Sequence, residues 1–248
     1  MNLITLQFQT NELNFQENLD KLVTLIKQTN PNDFIVAPEL CLTGYSYDNL
    51  HKASIFSKIA IDTLVKLSFD RTVSITLTLF DETSQKYTNT LHIFHKSNVI
   101  YTQSKAKLFT LNNEDDYFKA GNTNEFEIIE INGIKIASLI CFELRFIELW
   151  EKFKGADIII IPSMWGILRK QNFESLTNAL AITNQCYVIA SNSSNENMAS
   201  SSGIINPFGL EIRDDTKELI SMKFDKKEIK KMRRYLSVGI SYTPRLTF

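Results

Sequence analysis

Short apolar segments alternate with longer amphipathic segments at both ends of the 248-residue chain. Near the start, strand patterns at 3–8 and 33–36 flank a helical pattern that opens at Asn14. Further along, strand patterns alternate with helical ones, at 134–140, 145–153, 157–161, 173–185 and 187–190. Hairpin patterns occupy the middle of the chain, and such an arrangement is typical of mixed sheets covered by helices. We therefore predict a layered α/β fold and, because no linker interrupts it, a single domain over 1–248.

The composition indicates a protein without broad affinity for nucleic acid or lipid. Hydrophobic residues make up 44% of the chain, and the formal net charge of -1 gives no field that would attract a polyanion. Three cysteines do not form a disulfide framework, which favours a reducing compartment. The first residues lack the pattern of a signal peptide, and apolar runs such as 158–162 are too short to cross a bilayer. We expect a soluble, cytoplasmic protein with no nucleic acid and no membrane as partner.

Cys141 lies where a strand pattern changes into a helical one. The run 134–140 is rich in isoleucine and leucine, and the residues after Cys141 are spaced as on a helix. Such a junction lifts the sulfur out of the sheet and places it beside the N–H groups of a helix start, which favour a thiolate. The alternative is a small apolar side chain at the end of a core strand, because free cysteines are commonly buried. Position alone leaves both interpretations open.

Two further residues share the position of Cys141 at a predicted strand end. Glu39 follows Pro38, which cannot continue a central strand, and Lys105 follows an extended segment that ends near residue 103. The carboxyl ends of strands are where sites assemble in α/β sheets. A carboxylate, an ammonium and a thiol can serve as base, oxyanion partner and nucleophile for attack on a carbonyl. Spacing alone does not show that the three residues meet.

Several segments resemble, in order along the chain, the blocks of the nitrilase superfamily of carbon–nitrogen hydrolases. The segment around Glu39 is similar to the catalytic-glutamate block, and that around Lys105 to the catalytic-lysine block. Glu114 falls in a segment similar to that of the family's second glutamate, and the segment at Cys141 resembles the nucleophile block of the omega-amidase and carbamoylase branches. The matching segments are Pro38-Glu39-Leu-Cys-Leu-Thr-Gly44-Tyr45, Ser104-Lys105-Ala-Lys107-Leu-Phe109, 114–121, Ile140-Cys141-Phe-Glu-Leu-Arg-Phe-Ile-Glu148, Pro162-Ser-Met-Trp165, 181–187 and 203–209. Together, in this order, they are highly specific.

The resemblance implies a four-layer α-β-β-α sandwich of the nitrilase type that forms a homodimer or a higher homo-oligomer. It also implies hydrolysis of a small non-peptide amide or N-carbamoyl group, through a thioester and with release of ammonia, without metal or organic cofactor. In that mechanism Cys141 attacks the carbonyl carbon while Glu39 acts as general base. Lys105 and the backbone N–H of Phe142 hold the oxyanion, and Glu114 orients Lys105 and the substrate.

Residues around the predicted pocket do not identify the substrate. Four positions depart from residues common in the family, and they are Lys107, Glu143, Leu180 and Thr183. Arg145 can pair with a substrate carboxylate or with Glu148 one helical turn on. Trp165 either walls the pocket or fills the core behind a buried strand. The nucleophile block favours equally a short dicarboxylate monoamide and an N-carbamoyl amine or amino acid.

Other chemically active side chains favour structural roles. Cys41 and Cys186 lie in apolar surroundings and are interpreted as core residues. His92 and His95 stand three residues apart on a predicted strand, which is not a zinc-binding spacing. The basic segment 226–234 has apolar residues on one side, so we interpret it as a solvated amphipathic helix.

Two alternatives to a hydrolase stay open at this point. One is a catalytically silent nitrilase-like binding protein, in which Cys141 would alkylate no faster than Cys41 and Cys186. The other is a soluble amide acyltransferase, which product analysis in the presence of amines distinguishes from a hydrolase.

Overall fold

A computed structural model describes residues 1–240 of the protein. The strands are β1 (Asn2–Leu6), β2 (Phe34–Val36), β3 (Thr72–Asp81), β4 (Lys86–His95), β5 (Asn98–Ser104), β6 (Ile129–Ile131), β7 (Ile134–Ser138), β8 (Ile158–Ser163), β9 (Tyr187–Asn192), β10 (Gly203–Ile205), β11 (Glu211–Arg213) and β12 (Leu219–Lys223). The helices are α1 (Phe15–Lys27), α2 (Leu50–Leu67), α3 (Glu114–Tyr117), α4 (Ile147–Lys152), α5 (Lys170–Asn184) and α6 (Lys226–Tyr235). The predicted single domain, 1–248, includes residues 241–248, which lie outside the described residues.

The strands form two six-stranded sheets of mixed direction. The first sheet has the order β12-β1-β2-β3-β4-β5, and the second has the order β11-β10-β9-β8-β7-β6. Strands β1, β2 and β3 are parallel to one another, and so are β7, β8 and β9. The hairpin strands complete each sheet in antiparallel fashion. The two β-α runs and the central hairpins of the sequence therefore correspond to the parallel and antiparallel parts of the sheets.

The sheets pack face to face, and helices cover their outer faces. On β1 and β2, Leu3, Phe34 and Val36 belong to the apolar cluster that contains the second sheet, whereas Ile4 and Ile35 pack with the residues of α1 and α2. This alternation follows from the two-residue period of a strand. Helices α4 and α5 contribute their apolar residues to the side of the second sheet. The predicted α-β-β-α sandwich is confirmed. Among residues 1–240, no helix is long and apolar enough to cross a membrane.

The segment after Cys141 differs from its prediction. The pattern predicted a helix at 145–153, but a 3-10 turn spans Cys141–Arg145 and α4 begins only at Ile147. Phe146 lies between them with an extended backbone, at φ -103° and ψ 97°. The apolar spacing that suggested one helix arises because residues of both the turn and α4, such as Leu144 and Leu149, are buried.

Candidate active site

Glu39, Lys105 and Cys141 meet in one cavity. Glu39 lies three residues beyond β2, Lys105 directly follows β5, and Cys141 lies three residues beyond β7. Strand β5 runs in the same direction as β2, because two antiparallel pairings separate β5 from β3. The three side chains line a cavity of ≈ 170 Å³ between the carboxyl ends of the strands of both sheets. The structure thus brings together the three residues that the sequence placed at strand ends.

Lys105 forms a buried ion-pair network with two carboxylates. Its Nζ lies 2.9 Å from Oε1 of Glu39, and 2.9 Å and 2.8 Å from Oε1 and Oε2 of Glu114. All three side chains are almost fully buried. Burial alone would lower the pKa of Lys105, but the negative charges around it raise the pKa above its ordinary value. Burial raises the pKa of Glu114, although Lys105 opposes that effect. Lys105 is therefore a cation held at a fixed position.

The two oxygens of Glu39 have different environments. Oε1 accepts hydrogen bonds from Tyr45 Oη at 2.8 Å, Asn89 Nδ2 at 2.8 Å and Lys105 Nζ at 2.9 Å. Oε2 is buried and, within the described residues, accepts no hydrogen bond from a nitrogen or oxygen donor. A carboxylate oxygen without donors keeps its lone pairs free to accept a hydrogen. Oε2 is the oxygen available to take a proton.

Tyr45 and Asn89 were not among the site residues predicted from the sequence. The Tyr45 hydroxyl also lies 2.9 Å from Lys105 Nζ and 3.2 Å from Glu114 Oε1. Burial, together with these carboxylates, raises the pKa of Tyr45, so its hydroxyl stays neutral. Tyr45 belongs to the glutamate block, so its place was detectable. Asn89 lies inside β4, and only the pairing of β4 with β5 reveals its proximity to Lys105.

The backbone of Cys141 has a left-handed conformation, with φ at +50°. Such strain in a non-glycine residue is frequent at functional sites. Burial and the nearby Glu39 carboxylate raise the pKa of the Cys141 thiol, while Lys105 and the backbone N–H of Met164 act in the opposite direction. The helix predicted after Cys141 is preceded by a 3-10 turn, so no α-helix start favours a thiolate there, and burial favours the neutral thiol instead. Its proton has an acceptor nearby in Glu39.

The remaining predicted residues line the same cavity. The Phe142 ring packs edge-on against Phe109, with 5.1 Å between ring centres. The Arg145 guanidinium lies 4.8 Å from the ring centre of Trp165 and donates to Asn172 Oδ1 at 3.3 Å. Trp165 is buried and also lines the cavity, so both interpretations of it hold. Arg145 does not pair with Glu148.

Arg169 is a cavity residue that the sequence interpretation missed. Its guanidinium lies 5.1 Å from the ring centre of Phe109. Neither Arg145 nor Arg169 forms an ion pair with a carboxylate in the part of the chain that the structure describes. Arg169 lies four residues after Trp165 in a short 3-10 turn, between two of the segments that resemble family blocks. Two arginines that have no acidic partner among residues 1–240 therefore border the cavity that holds Cys141.

The four departures from the family pattern occupy different positions. Lys107 lies 3.7 Å from Glu148 at the surface, where it also covers the Phe146 ring. Glu143 is fully buried and does not line the cavity. Leu180 is buried in the core and Thr183 is exposed, and neither lines the cavity.

The structural roles predicted for the other candidates agree with their positions. Cys41 and Cys186 are fully buried, and burial raises the pKa of both thiols. His92 and His95 both lie on β4, the strand on which they were predicted. Helix α6 buries Ile229 and Met232 and exposes lysines on its other side, as expected for an amphipathic helix.

A family model described as carbon-nitrogen hydrolase matches residues 5–234. The chain therefore belongs to the carbon–nitrogen hydrolase family, as the ordered motifs predicted. It is 32% identical over 246 residues to 2-oxoglutaramate amidase of Bacillus subtilis (strain 168), covering 94% of each chain. It is 24% identical to deaminated glutathione amidase of Escherichia coli O157:H7, with 90% of each chain covered.

Solved structures share this fold. Nit3 of Saccharomyces cerevisiae, a member of the nitrilase superfamily, matches with a TM-score of 0.84 at 22% identity, covering 96% of this chain and 95% of that one. XC1258 of Xanthomonas campestris, a CN-hydrolase superfamily protein, matches with a TM-score of 0.83 at 20% identity, covering 98% of each chain. These likenesses confirm the nitrilase-type fold.

Proposed function

We propose that the protein is a cysteine-dependent amidase that hydrolyses the C–N bond of a small amide carrying a carboxylate. One observation carries the proposal: Glu39, Lys105 and Cys141 line a single cavity, and one buried oxygen of Glu39 accepts no hydrogen bond from a nitrogen or oxygen donor among the described residues. A thiol, a base and a cation so arranged provide the groups needed for acyl transfer.

In the first half of the reaction, Glu39 Oε2 takes the thiol proton as the Cys141 sulfur attacks the amide carbon. The C–N double-bond character is lost, and the carbonyl oxygen becomes an oxyanion. Lys105 Nζ and the backbone N–H of Phe142 hold this oxyanion. Glu39 and Glu114 already fix the position of its positive charge, and the N–H that contacts Tyr45 Oη can turn to the oxyanion. Glu39 then returns the proton to the nitrogen, which leaves as ammonia, and a thioester remains on Cys141.

In the second half, a water molecule replaces the leaving group. Glu39 removes a proton from this water as its oxygen attacks the thioester carbon, and the same oxyanion contacts form again. The C–S bond breaks, the proton returns to Cys141, and the carboxylic acid leaves. Glu114 acts on Lys105 throughout, because its two oxygens lie within 2.9 Å of Nζ.

The charges around the cavity support an anionic substrate. Lys105 is balanced by two carboxylates, whereas Arg145 and Arg169 have no acidic partner within the described residues. A substrate carboxylate would supply that partner. Of the substrates that the sequence favoured, dicarboxylate monoamides and N-carbamoyl amino acids carry such a group, whereas simple N-carbamoyl amines do not. The relative named 2-oxoglutaramate amidase adds weight to a monoamide. The proposal includes a homodimer or higher homo-oligomer, on the strength of the family resemblance.

An ammonia-release screen tests the proposal. The panel contains monoamides of short dicarboxylic acids, N-carbamoyl amino acids, nitriles and neutral amides, and the Cys141→Ala variant serves as blank. We expect turnover of a carboxylate-bearing amide by the native chain and a loss of about 10³-fold or more in the variant. Thermal unfolding of both proteins checks that the fold is retained.

Two results would overturn the proposal. Full activity of Cys141→Ala would remove the cysteine from the mechanism. Absence of any Cys141-dependent turnover across the panel would favour the silent binding protein. Added glycine distinguishes the acyltransferase, because the N-acylglycine product would then exceed the free acid.

A further inference from the structure

Glu143 joins the two backbone segments that carry Cys141 and Lys105. Its Oε2 accepts a hydrogen bond from the backbone N–H of Ile140 at 2.7 Å, and its Oε1 accepts one from the backbone N–H of Ala106 at 2.6 Å. Ile140 is the residue before the nucleophile, and Ala106 is the residue after the lysine. Each carboxylate oxygen is therefore bound to a different segment, one from each sheet.

The environment of Glu143 is unusual for a carboxylate. The side chain is fully buried, and among the described residues no cation forms an ion pair with it. Besides Ile140 and Ala106, the backbone N–H of Lys107 stabilises its charge. The titratable groups that act on it are Lys105, which favours the charged form, and Tyr101 on β5. A buried carboxylate held only by backbone N–H groups is costly, so its two short hydrogen bonds matter most.

We propose that Glu143 is a positioning residue whose carboxylate fixes the Cys141 thiol relative to the Lys105 ammonium. This inference rests on the proposed function, because it concerns how the same two groups reach their reactive geometry. The turn from Cys141 to Arg145 begins with a strained residue at φ +50°, and the Ile140 hydrogen bond closes that turn from the inside. The Ala106 hydrogen bond holds the neighbouring segment against it. Small displacements of reacting groups reduce rates by orders of magnitude, which gives such a link a direct effect on kcat.

Protonation of Glu143 would weaken the link. Burial raises the pKa of Glu143 to about 7, while the backbone N–H groups oppose that rise. Below this pH one oxygen carries a proton and no longer accepts fully from its N–H partner. The ionised form is the competent one, so kcat should fall as the pH is lowered through about 7.

The Glu143→Gln variant tests the inference, with Glu148→Gln as the matched control. Glutamine has nearly the same shape, but its amide NH₂ faces one of the two backbone N–H groups, so one segment is released. We expect kcat at pH 8 to fall about 10- to 100-fold with KM changed less than about threefold. The acid limb near neutral pH should also disappear from the profile. Glu148 is exposed on α4, and its change should leave kcat, KM and the pH profile as they were.

A second variant distinguishes a loss of activity through misplaced reacting groups from a loss through unfolding. Glu143→Asp keeps both carboxylate oxygens, and we expect it to retain more of kcat than Glu143→Gln while keeping an acid limb. Thermal unfolding normalises each rate to folded protein. The inference would be overturned if Glu143→Gln had the kcat and the pH profile of the native protein. It would also be overturned if Glu143→Gln and Glu143→Asp lost the same fraction of kcat. Cys141→Ala in the same assay tests the proposed function separately: if it is inactive while Glu143→Gln is fully active, only the role of Glu143 fails.

Discussion

Cys141 and Cys186 both lie near a carboxylate–cation pair, yet their surroundings differ in two respects. Cys186 lies near Asp157 and Arg233, which form an ion pair at 3.4 Å. Asp157 has no free oxygen, because Oδ1 binds Arg233 while Oδ2 binds the Lys135 N–H at 3.1 Å and Lys226 Nζ at 3.0 Å. Cys186 is also fully buried, and it lines none of the cavities described in residues 1–240. A thiol beside charges is therefore not sufficient for a site.

The position along the strands explains the difference. Cys186 and Asp157 precede β9 and β8, so they lie at the amino ends of these strands, where the chain enters the sheet. Cys141 and Glu39 follow β7 and β2, at the carboxyl ends, where the two sheets leave a cavity between them. Burial raises the pKa of both thiols, to about 12 for Cys186. Within residues 1–240, Cys141 differs in that it lines the cavity and lies near a carboxylate, Glu39, that has one oxygen without a hydrogen-bond donor.

Removing the carboxylate from each pair should give opposite outcomes. Glu39→Gln keeps the size of the side chain but removes the proton acceptor, and we expect kcat to fall about 10²- to 10⁴-fold with the fold intact. Asp157→Asn should leave kcat per folded molecule unchanged. It should instead lower the free energy of unfolding by roughly 1–3 kcal/mol, because Arg233 loses its buried partner. Ammonia release measures kcat, and chemical denaturation measures the free energy of unfolding. Comparable losses of kcat in both variants would contradict the proposed difference between the surroundings of Cys141 and Cys186.

Alkylation compares the thiols directly. Native protein treated with iodoacetamide at pH 8 should be labelled at Cys141 at least about tenfold faster than at Cys186 or Cys41, because only a thiol near a base and open to the cavity can react. Mass spectrometry of the cysteine peptides gives the three rates, and denatured protein, in which they should converge, provides the reference. Equal labelling in the native state would contradict the assignment of Cys141 and favour a catalytically silent protein.

Sequence patterns predicted the layered fold and the residues that now meet in the cavity, because each followed a buried strand and lay in a recognisable block. They did not predict that Oε1 of Glu39 is saturated, because Asn89 reaches it through the pairing of β4 with β5. Nor did they predict that burial raises the pKa of the Cys141 thiol. The helical spacing after Cys141 concealed a 3-10 turn, and the local charge balance depends on burial, which no spacing reveals.

Arg169 lines the same cavity as Cys141, and the sequence interpretation also missed it. If its guanidinium binds a substrate carboxylate, Arg169→Met should raise KM for a carboxylate-bearing amide about tenfold, because a charge-assisted hydrogen bond is lost. The kcat value should change little, since Arg169 lies at the Phe109 wall and not in the Glu39–Lys105–Cys141 cluster. KM for a neutral amide of the same length should not rise. Lys170→Met, the next residue, serves as control because its Nζ pairs with Asp215 away from the cavity. An equal rise in KM for charged and neutral amides would show that Arg169 shapes the cavity but does not bind the substrate carboxylate.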